Sequence, residues 1–251
     1  GEQVLRSIDI ILREVSNLKR IGAEFGQQEA GTLSIATTHT QARYVLPGPI
    51  TQFRRRYAQV QVELHQGTPD QVARMLLDET ADMGLATEAL AHYDDLVTLP
   101  CYDWQHVIIV PKGHPLGEIE RPTLEQLATY PLVSYHPTVA GRSRIDQAFA
   151  KANLTPSFAL EALDSDVIKT YVALGLGVGI VAEMAVKDDP VQDLVVRPLG
   201  NLLGMNVARV AFKRGAYLRH FVYQFAELLS DRLTAPLVAR AMSGQANDYE
   251  L

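Results

Sequence analysis

The sequence predicts an α/β protein in which parallel sheets carry helices on both faces. Short apolar or alternating strand patterns take turns with helical patterns along most of the 251 residues. Two of the helices begin with the same capping-box pattern, at Thr68–Gln71 and at Thr123–Gln126. The length is sufficient for one large domain or for two subdomains that each bury a core.

The first predicted element is one long helix over residues 4–25. Its apolar residues recur at alternating steps of four and three, which is the spacing of a coiled-coil seam. They are Val4, Ile8, Ile11, Val15 and Leu18. An amphipathic helix that packs on its own domain would show the same spacing, so both interpretations stand. A domain boundary is expected near residue 30.

Strands and helices alternate after this boundary. Strands are predicted at residues 32–36, 60–64, 83–86, 107–110, 132–135, 160–163 and 207–212, with residues 180–182 extended or in a short helix. Helices are predicted to begin near residues 40, 68, 123, 143 and 164, and a long one covers residues 217–233. The polar tail, residues 243–251, is expected to be disordered.

Composition narrows the class of protein. A formal net charge of −6 does not suit a nucleic-acid binder, so any DNA-binding part is expected outside this sequence. Cys101 is the only cysteine, which excludes an intrachain disulfide framework. No signal-peptide pattern and no apolar run of about 20 residues are present. These features predict a cytoplasmic protein without a membrane segment.

The sequence gives little support for catalysis. The glycines of Gly175–Gly179 follow a helix and precede a strand, the reverse of a dinucleotide-binding loop, so they are interpreted as a helix C-cap and close packing. No metal-binding histidine pair and no nucleophile elbow are present. Asp164 and Asp166 are the only close carboxylates of interest, and helix capping explains them. We therefore predict no enzyme, no cofactor and no metal.

Four polar loops each follow an apolar strand, at residues 37–41, 86–88, 138–143 and 164–166. In open α/β sheets, ligands bind outside the carboxyl ends of the strands. Ordinary helix capping by Thr and Ser is the alternative for any single loop. One helix cap uses one polar side chain, whereas this loop has three, those of Thr38, Thr40 and Gln41. The loop is therefore predicted to bind a small anion through neutral donors and a helix N-terminus.

Several segments resemble the effector-binding region of LysR-type transcriptional regulators. They are ATTHTQARY (36–44), LHQGTP (64–69), ATEAL (86–90), LPCYDW (99–104), GRSRIDQAF (141–149) and DSDVIKTYVALGLGVGI (164–180). The resemblance extends over about residues 4–240, and it is strongest to the CysB and Cbl subgroup, which controls sulfur assimilation and sulfonate use.

The resemblance implies two Rossmann-like subdomains of the type II periplasmic-binding-protein kind, joined by two crossover strands and preceded by a linker helix. Residues 1–30 would end the dimerising helix, residues 31–102 with 204–240 would form subdomain I, and residues 103–203 would form subdomain II. Residues 241–251 would be a flexible tail. The implied promoter contacts are made by a winged helix-turn-helix domain N-terminal to this sequence.

The resemblance also implies an anion site in the cleft between the subdomains. The matching positions are Thr38, Thr40, Gln41 and Thr87, and Trp104 matches a tryptophan close to that pocket. Gly141 and Arg142 of the loop that also contains Ala140 are further candidate ligand residues; Arg142 could add charge, and a surface or salt-bridge role is the alternative for it. Ala140 departs from the family pattern, which has a ligand threonine there. Loss of that hydroxyl removes one donor, worth about 0.5–1.5 kcal/mol in a typical hydrogen bond, so the preferred effector is expected to differ or to be larger.

The implied function is effector sensing by a homodimeric or homotetrameric regulator of sulfur assimilation, in cysteine biosynthesis or sulfonate use. Sulfate, thiosulfate, acetylserine and adenosine phosphosulfate are the implied effectors, and RNA polymerase is a candidate further partner. A periplasmic-type solute-binding protein for a small anion is the alternative, and an enzyme built in the same cleft is the third hypothesis.

Overall fold

The computed structural model is an α/β protein, as the sequence predicts. It describes residues 1–26, 30–139, 141–187 and 193–244. The chain forms two compact units: the first contains Gly1–Tyr102 and the chain from Ala208 onward, and the second contains Asp103–Val207.

Elements are numbered in chain order. The strands of the described residues are β1 Ala30–Thr37, β2 Gln59–Gln66, β3 Met83–Thr87, β4 Leu96–Trp104, β5 His106–Pro111, β6 Leu132–Tyr135, β7 Phe158–Ala162, β8 Val178–Ala182, β9 Leu194–Pro198 and β10 Asn206–Lys213. The α-helices are α1 Glu2–Gly26, α2 Pro47–Arg56, α3 Pro69–Leu77, α4 Leu124–Ala128, α5 Arg142–Lys151, α6 Ser165–Ala173, α7 Met184–Lys187, α8 His220–Leu229 and α9 Ala235–Met242. Both unit boundaries fall inside strands, β4 and β10.

Each unit has a five-stranded sheet, and both sheets are mixed. The strand order is β2-β1-β3-β10-β4 in the first unit and β7-β6-β8-β5-β9 in the second. In the first sheet, β1 runs parallel to β2 and β3, whereas β10 is antiparallel to β3. In the second, β6 is parallel to β7 and β8, whereas β5 is antiparallel to β8 and β9. The predicted parallel pairing is therefore confirmed for β1 with β2 and β3 and for β6 with β7 and β8, and it is wrong for β5 and β10. The pattern of a buried strand reports its burial more than its direction.

The predicted helix starts are confirmed where capping chemistry specifies them. Thr68 and Thr123 each accept a hydrogen bond at 3.3 Å from the backbone N–H three residues later, and each glutamine bonds back to the backbone of its threonine, as a capping box requires. Asp164 caps α6 through a 2.9 Å bond from the Val167 N–H. These caps explain why α3, α4 and α6 begin where the sequence predicts.

The glycine-rich segment after α6 forms a helix end, as predicted. Gly175 has φ +82°, and its N–H bonds to the Val172 carbonyl while the Leu176 N–H bonds to the Tyr171 carbonyl. This pair of bonds is a Schellman motif, which satisfies carbonyls at the end of a helix. A Cβ on Gly177 would lie 2.2 Å from the Pro131 carbonyl oxygen, so close packing explains that glycine.

The long helix predicted over residues 217–233 is wrong in extent. Helix α8 ends at Leu229, Ser230 is extended with φ −165°, and α9 then begins with Thr234 as its N-cap and a proline in its first turn. The apolar periodicity continues across both helices, so it conceals the break. Within the predicted tail, residues 245–251 lie outside the described residues.

Helix α1 packs on the first unit through polar side chains, while its apolar seam stays exposed. Ser16 Oγ donates to Glu79 at 2.7 Å, and Arg20 and Lys213 form ion pairs with the same carboxylate at 3.6 and 2.8 Å. One turn later, Glu24 accepts a 2.8 Å bond from the backbone of α8. The exposed seam residues are Val4, Ile8, Ile11, Val15 and Leu18, with 44–67% of each exposed. The seam is therefore not the surface by which α1 contacts its own domain.

Candidate functional site

Three of the predicted threonines, Thr38, Thr40 and Thr87, lie at the carboxyl edge of the first sheet. Strands β1 and β3 are parallel neighbours in which Thr37 is opposite Leu85, and the Thr37 hydroxyl donates to the Leu85 carbonyl at 2.8 Å. Thr38 and Thr40 follow β1, and Thr87 ends β3 two residues beyond Leu85. Because the two strands end at the same edge, these hydroxyl-bearing residues lie at the position where α/β sheets bind ligands.

Two of these threonines do not cap the helical turn that they precede. Thr40 comes before a π-helical turn, Gln41–Val45, and Thr87 comes before a 3-10 turn, Glu88–His92, yet neither side chain makes a capping hydrogen bond. Thr123 does so at its helix. The alternative of ordinary capping is therefore not supported at Thr40 or Thr87.

Gln41 is held in place by Tyr102. The Gln41 side chain is buried, with 2% of the residue exposed, and its Oε1 accepts a short hydrogen bond from the Tyr102 hydroxyl. Burial raises the pKa of Tyr102, so the phenol stays protonated and remains a donor at neutral pH. With Oε1 engaged, the Nε2 amide group is the part of Gln41 that can donate to a ligand.

Trp104 is buried in the second unit beside His106. The two rings pack edge to face with centroids 5.0 Å apart, and only 5% of Trp104 and 1% of His106 is exposed. Among the described residues, neither Trp104 Nε1 nor His106 Nε2 has a hydrogen-bond partner. Burial, and then repulsion from Arg144, lowers the pKa of His106 to about 4, so the imidazole is neutral at pH 7.

Gly141 and Arg142 begin helix α5 in the same unit. Gly141 has φ +89°, and a Cβ there would meet His106 Nε2 at 2.9 Å. Arg142 is 5% exposed; its guanidinium bonds to Asp146 at 2.8 Å and to Glu161 at 2.6 Å. Burial lowers the Arg142 pKa, but the two carboxylates outweigh burial and raise it overall. Ala140 lies outside the described residues.

The predicted site residues thus fall into two groups. Thr38, Thr40, Gln41 and Thr87 belong to the first unit, whereas Trp104, Gly141 and Arg142 belong to the second. The Arg142 charge is balanced by carboxylates of its own unit, so its contacts indicate a structural role, and a direct role in ligand binding stays a prediction.

Across the described residues, none of the helices is both long enough and apolar enough to cross a membrane.

Comparison with known protein families identifies the kind of domain. A family model described as the LysR substrate binding domain matches residues 26–234, which is most of the chain. The chain belongs to the LysR family. The predicted family is therefore confirmed, and the match begins at the C-terminal end of α1.

Curated LysR relatives cover nearly the whole chain. The HTH-type transcriptional regulator CysB of Burkholderia cenocepacia is 49% identical over 251 residues, covering 100% of this chain and 80% of the relative. The HTH-type transcriptional regulator SsuR of the same organism is 45% identical, covering 95% of this chain and 78% of the relative. These LysR relatives are transcriptional regulators and not enzymes, which confirms the prediction that the chain is not an enzyme.

A solved LysR structure confirms the fold. The crystal structure of the cofactor-binding domain of the Cbl transcriptional regulator superposes with a TM-score of 0.81 at 44% identity. It covers 85% of this chain and 93% of that chain. The predicted α/β fold, of the type of LysR effector-binding domains, is thereby confirmed.

Two residues of this LysR domain were not among the predicted site residues. Tyr102 lies inside the matched segment LPCYDW, but its partner Gln41 is 61 residues away, so the hydrogen bond has no local signal. His106 carries no motif and directly precedes the strand predicted at residues 107–110. An ionisable residue at the start of such an apolar strand is the one signal that could have marked it.

Proposed function

We propose that this chain is the effector-sensing domain of a DNA-binding, cytoplasmic transcriptional regulator of sulfur metabolism, acting in cysteine biosynthesis or sulfonate use. Relatives named CysB, SsuR and Cbl regulators, at 41–49% identity over nearly the whole chain, support this assignment. The proposed effector is a small anion or sulfur metabolite, and the proposed binding residues of the first unit are Thr38, Thr40, Gln41 and Thr87.

The observation that carries the proposal is the set of neutral donors at the carboxyl edge of the first sheet. Thr40 and Thr87 are not used as caps, and Gln41 is oriented by Tyr102 so that its amide group can donate. Neutral hydroxyl and amide donors can bind an anion without a counter-charge, because hydrogen bonds to an ionised acceptor are about twice as strong as neutral ones. Such a set suits sulfate, whose oxygens only accept hydrogen bonds.

Calorimetric titration of the chain with sulfate, thiosulfate, O-acetylserine and adenosine phosphosulfate tests the proposal. Binding of at least one compound is expected, and a Thr87→Ala variant is expected to weaken it. If none of the four binds, the proposed effector class is wrong. If one binds with equal affinity in the variant, the proposed residues are wrong.

Replacing Tyr102 with phenylalanine is expected to weaken binding of that effector by a few-fold, because the Gln41 amide loses the donor that orients it while no ligand-contacting atom of Gln41 is removed. Calorimetry of the variant measures the change. Tyr93→Phe is the matched control, since it deletes an exposed tyrosine hydroxyl that bonds to Asp70. An unchanged affinity in Tyr102→Phe would show that Tyr102 does not position Gln41 for the ligand.

We also propose that the chain assembles as a homodimer or homotetramer through the apolar seam of α1. The seam keeps heptad spacing, and a second copy of the same helix would cover it. Such a large exposed apolar stripe on a soluble protein indicates an interface. On the second unit, Val167 and Tyr171 of α6 are also exposed, as are Leu163 before this helix and Leu174 at its end, and these residues are the proposed contact through which dimers pair.

Ile11→Glu is expected to shift the chain toward monomer. Ile11 lies at the centre of the seam and is 61% exposed in the single chain, so the substitution places a charge where the second helix would pack. Light scattering after size exclusion measures the mass. Arg6→Glu, on the polar side of α1, is the control and should leave the mass unchanged. A wild-type chain that is already monomeric at tens of micromolar would contradict the proposed seam.

The proposed regulator would contact promoter DNA through an N-terminal winged helix-turn-helix domain attached to α1, and RNA polymerase is a proposed further partner. Polar contacts from Ser16, Arg20 and Glu24 hold α1 to the first unit, so a movement of that unit would be passed to the helix. Such coupling requires that the effector binds one arrangement more tightly than the other.

A further inference from the structure

A cavity lies where the C-terminal end of α1 meets the N-terminus of α8, and both helices belong to the first unit. Its volume of about 390 Å³ falls within the range of small-molecule sites. It is lined by Glu24, Phe25, Tyr217, Leu218, His220 and Tyr223. None of these is a proposed effector-binding residue, so the function proposed above leaves the cavity unexplained.

The cavity is at the opposite end of β1 from the proposed effector-binding threonines. Arg219 is flanked by two lining residues, and its guanidinium donates to the Ala30 carbonyl at 2.8 Å. Ala30 begins β1, whereas Thr38 directly follows its last residue. The strand has eight residues, so at roughly 3.3 Å per residue its ends are about 25 Å apart. A small molecule in this cavity therefore does not reach Thr38.

Tyr217 is held in the wall of the cavity by three side chains of α1. Asn17 and Arg20 bond to its backbone N–H and carbonyl at 2.8 and 3.3 Å. The Tyr217 hydroxyl donates to the carboxylate of Glu24. These three residues of α1 are spaced by three and four, so they lie on one face of the helix. The wall is thus formed before a ligand binds, which lowers the entropic cost of binding.

Glu24 brings a negative charge to this cavity. Its carboxylate accepts the Tyr217 hydroxyl and, at 2.8 Å, the backbone N–H of His220, both of which are neutral donors. Arg219, the N-cap residue of α8, makes no side-chain capping bond, so Glu24 serves as the cap in its place. Within the described residues, Glu24 forms no ion pair. Its charge is therefore available to a cationic ligand.

The two phenols of the cavity respond to the charge of Glu24. The hydrogen bond to Glu24, and then burial, raise the pKa of Tyr217 to about 12, and the opposing effect of Arg219 is the smallest. Burial, and then the charge of Glu24, raise the pKa of Tyr223. Glu24 thus sets the sign of the potential in the cavity, and both phenols stay protonated and uncharged at neutral pH.

Three aromatic side chains supply most of the other lining. They are Phe25, Tyr217 and Tyr223, and in the described part of the chain none of their rings packs on another ring or on a cation. Phe25 is 90% exposed in the single chain. Aromatic faces carry the negative part of the ring quadrupole and attract a cation that lies over them. A carboxylate beside unused rings suits an organic cation and repels an anion.

We propose that this cavity binds a small organic ammonium ion, whose charge is paired with Glu24 and whose alkyl groups lie against the aromatic side chains. The site is additional to the proposed effector site and takes ligands of the opposite charge. Two lining residues belong to α1, and the other four belong to α8 and the loop before it. A bound ammonium ion would therefore strengthen the attachment of α1 to the first unit.

Calorimetric titration of the chain with choline chloride, at neutral pH and at an ionic strength fixed by sodium chloride, tests the proposal. Choline is expected to bind with a dissociation constant of roughly 0.1–5 mM, as for a few cation–π contacts and one ion pair. Neohexyl alcohol, in which carbon replaces the nitrogen of choline, is expected to bind about 10-fold more weakly or less. Sodium pivalate, an anion of similar shape, is expected not to bind.

Glu24→Gln removes the charge and keeps the shape of the side chain. The amide oxygen can still accept the His220 N–H, and the amide nitrogen can donate to the Tyr217 oxygen. Choline affinity is expected to fall about 10-fold or more. Glu14→Gln is the matched control, because Glu14 is on the same helix, has 60% of its side chain exposed and does not line the cavity. It should leave choline affinity unchanged.

Two substitutions of Tyr223 separate its ring from its hydroxyl. Tyr223→Phe keeps the ring and should bind choline nearly as wild type does. Tyr223→Leu removes the ring, so affinity is expected to fall about 5-fold. Equal losses in both variants would contradict the proposed ring contact. Choline should also raise the melting temperature of wild type more than that of Glu24→Gln.

The outcomes separate this site from the proposed function. If a proposed effector binds but choline does not, or if choline and neohexyl alcohol bind equally well, the ammonium site is wrong and the proposed function stands. If choline binds as expected and none of the proposed effectors does, the ammonium site stands and the proposed effector class is wrong. Should Glu24→Gln not fold, the comparison of choline with neohexyl alcohol and the two Tyr223 variants still decide.

Discussion

Thr40→Ala is expected to weaken binding of sulfate, or of whichever proposed effector binds, by roughly 10- to 100-fold, because it removes a hydrogen bond to a charged acceptor. Stability should change little, since the Thr40 side chain does not cap the turn that follows it. Calorimetric titration measures the affinity, and thermal unfolding of the ligand-free chain measures the stability.

Thr123→Ala is the matched control, because it deletes the same hydroxyl from a threonine whose role is capping. Thr123 accepts the Gln126 N–H and shares a capping box with it. Its replacement is expected to cost about 1 kcal/mol of stability and to leave effector affinity unchanged. The reverse pattern, in which Thr40→Ala lowers stability and affinity stays the same, would make Thr40 a structural residue and remove the main support for the proposed anion site.

The contrast between these threonines shows what the sequence can predict. A capping box is local, so the starts of α3 and α4 follow from residues three positions apart, and both were predicted correctly. A threonine that binds a ligand has the same local pattern of strand, polar residue and helix. Only the structure shows that Thr40 and Thr87 leave their helices uncapped.

Features that depend on residues far apart in the chain could not be predicted from the sequence alone. The bond between Gln41 and Tyr102 joins residues 61 positions apart, and the contact between His106 and Asn206 spans 100 positions. Strand direction is likewise not encoded in the alternation of apolar residues, which is why the antiparallel β5 and β10 were expected to be parallel. The break between α8 and α9 had a local signal, Thr234 two residues before a proline, that the apolar periodicity masked.

Arg142 is the predicted site residue whose replacement should affect stability most. Its guanidinium lies against the Phe158 ring at 4.0 Å, bonds to the carboxylates of Asp146 and Glu161, and donates to the Tyr135 carbonyl. Through these contacts the Arg142 side chain connects α5 with β6 and β7. Arg142→Met keeps much of the apolar stem but leaves the carbonyl and both carboxylates without this partner.

The expected cost of Arg142→Met is about 2–3 kcal/mol, below the 3–5 kcal/mol typical of breaking a fully buried pair. The reduction follows because 33% of the Glu161 side chain and 47% of the Asp146 side chain are exposed, so water compensates in part. Urea unfolding measures the loss. Lys112→Met is the control: it breaks an ion pair with Asp193 whose side chains are 67% and 81% exposed, and should cost less than about 0.5 kcal/mol.

Effector titration of the same Arg142→Met variant distinguishes the two roles of this residue. A structural role predicts that the folded variant binds the effector with nearly wild-type affinity, because the lost contacts are to Asp146, Glu161 and Tyr135. A variant that unfolds at the wild-type urea concentration but binds the effector at least 10-fold more weakly would contradict that role. The guanidinium would then have to leave its carboxylate partners to reach the effector.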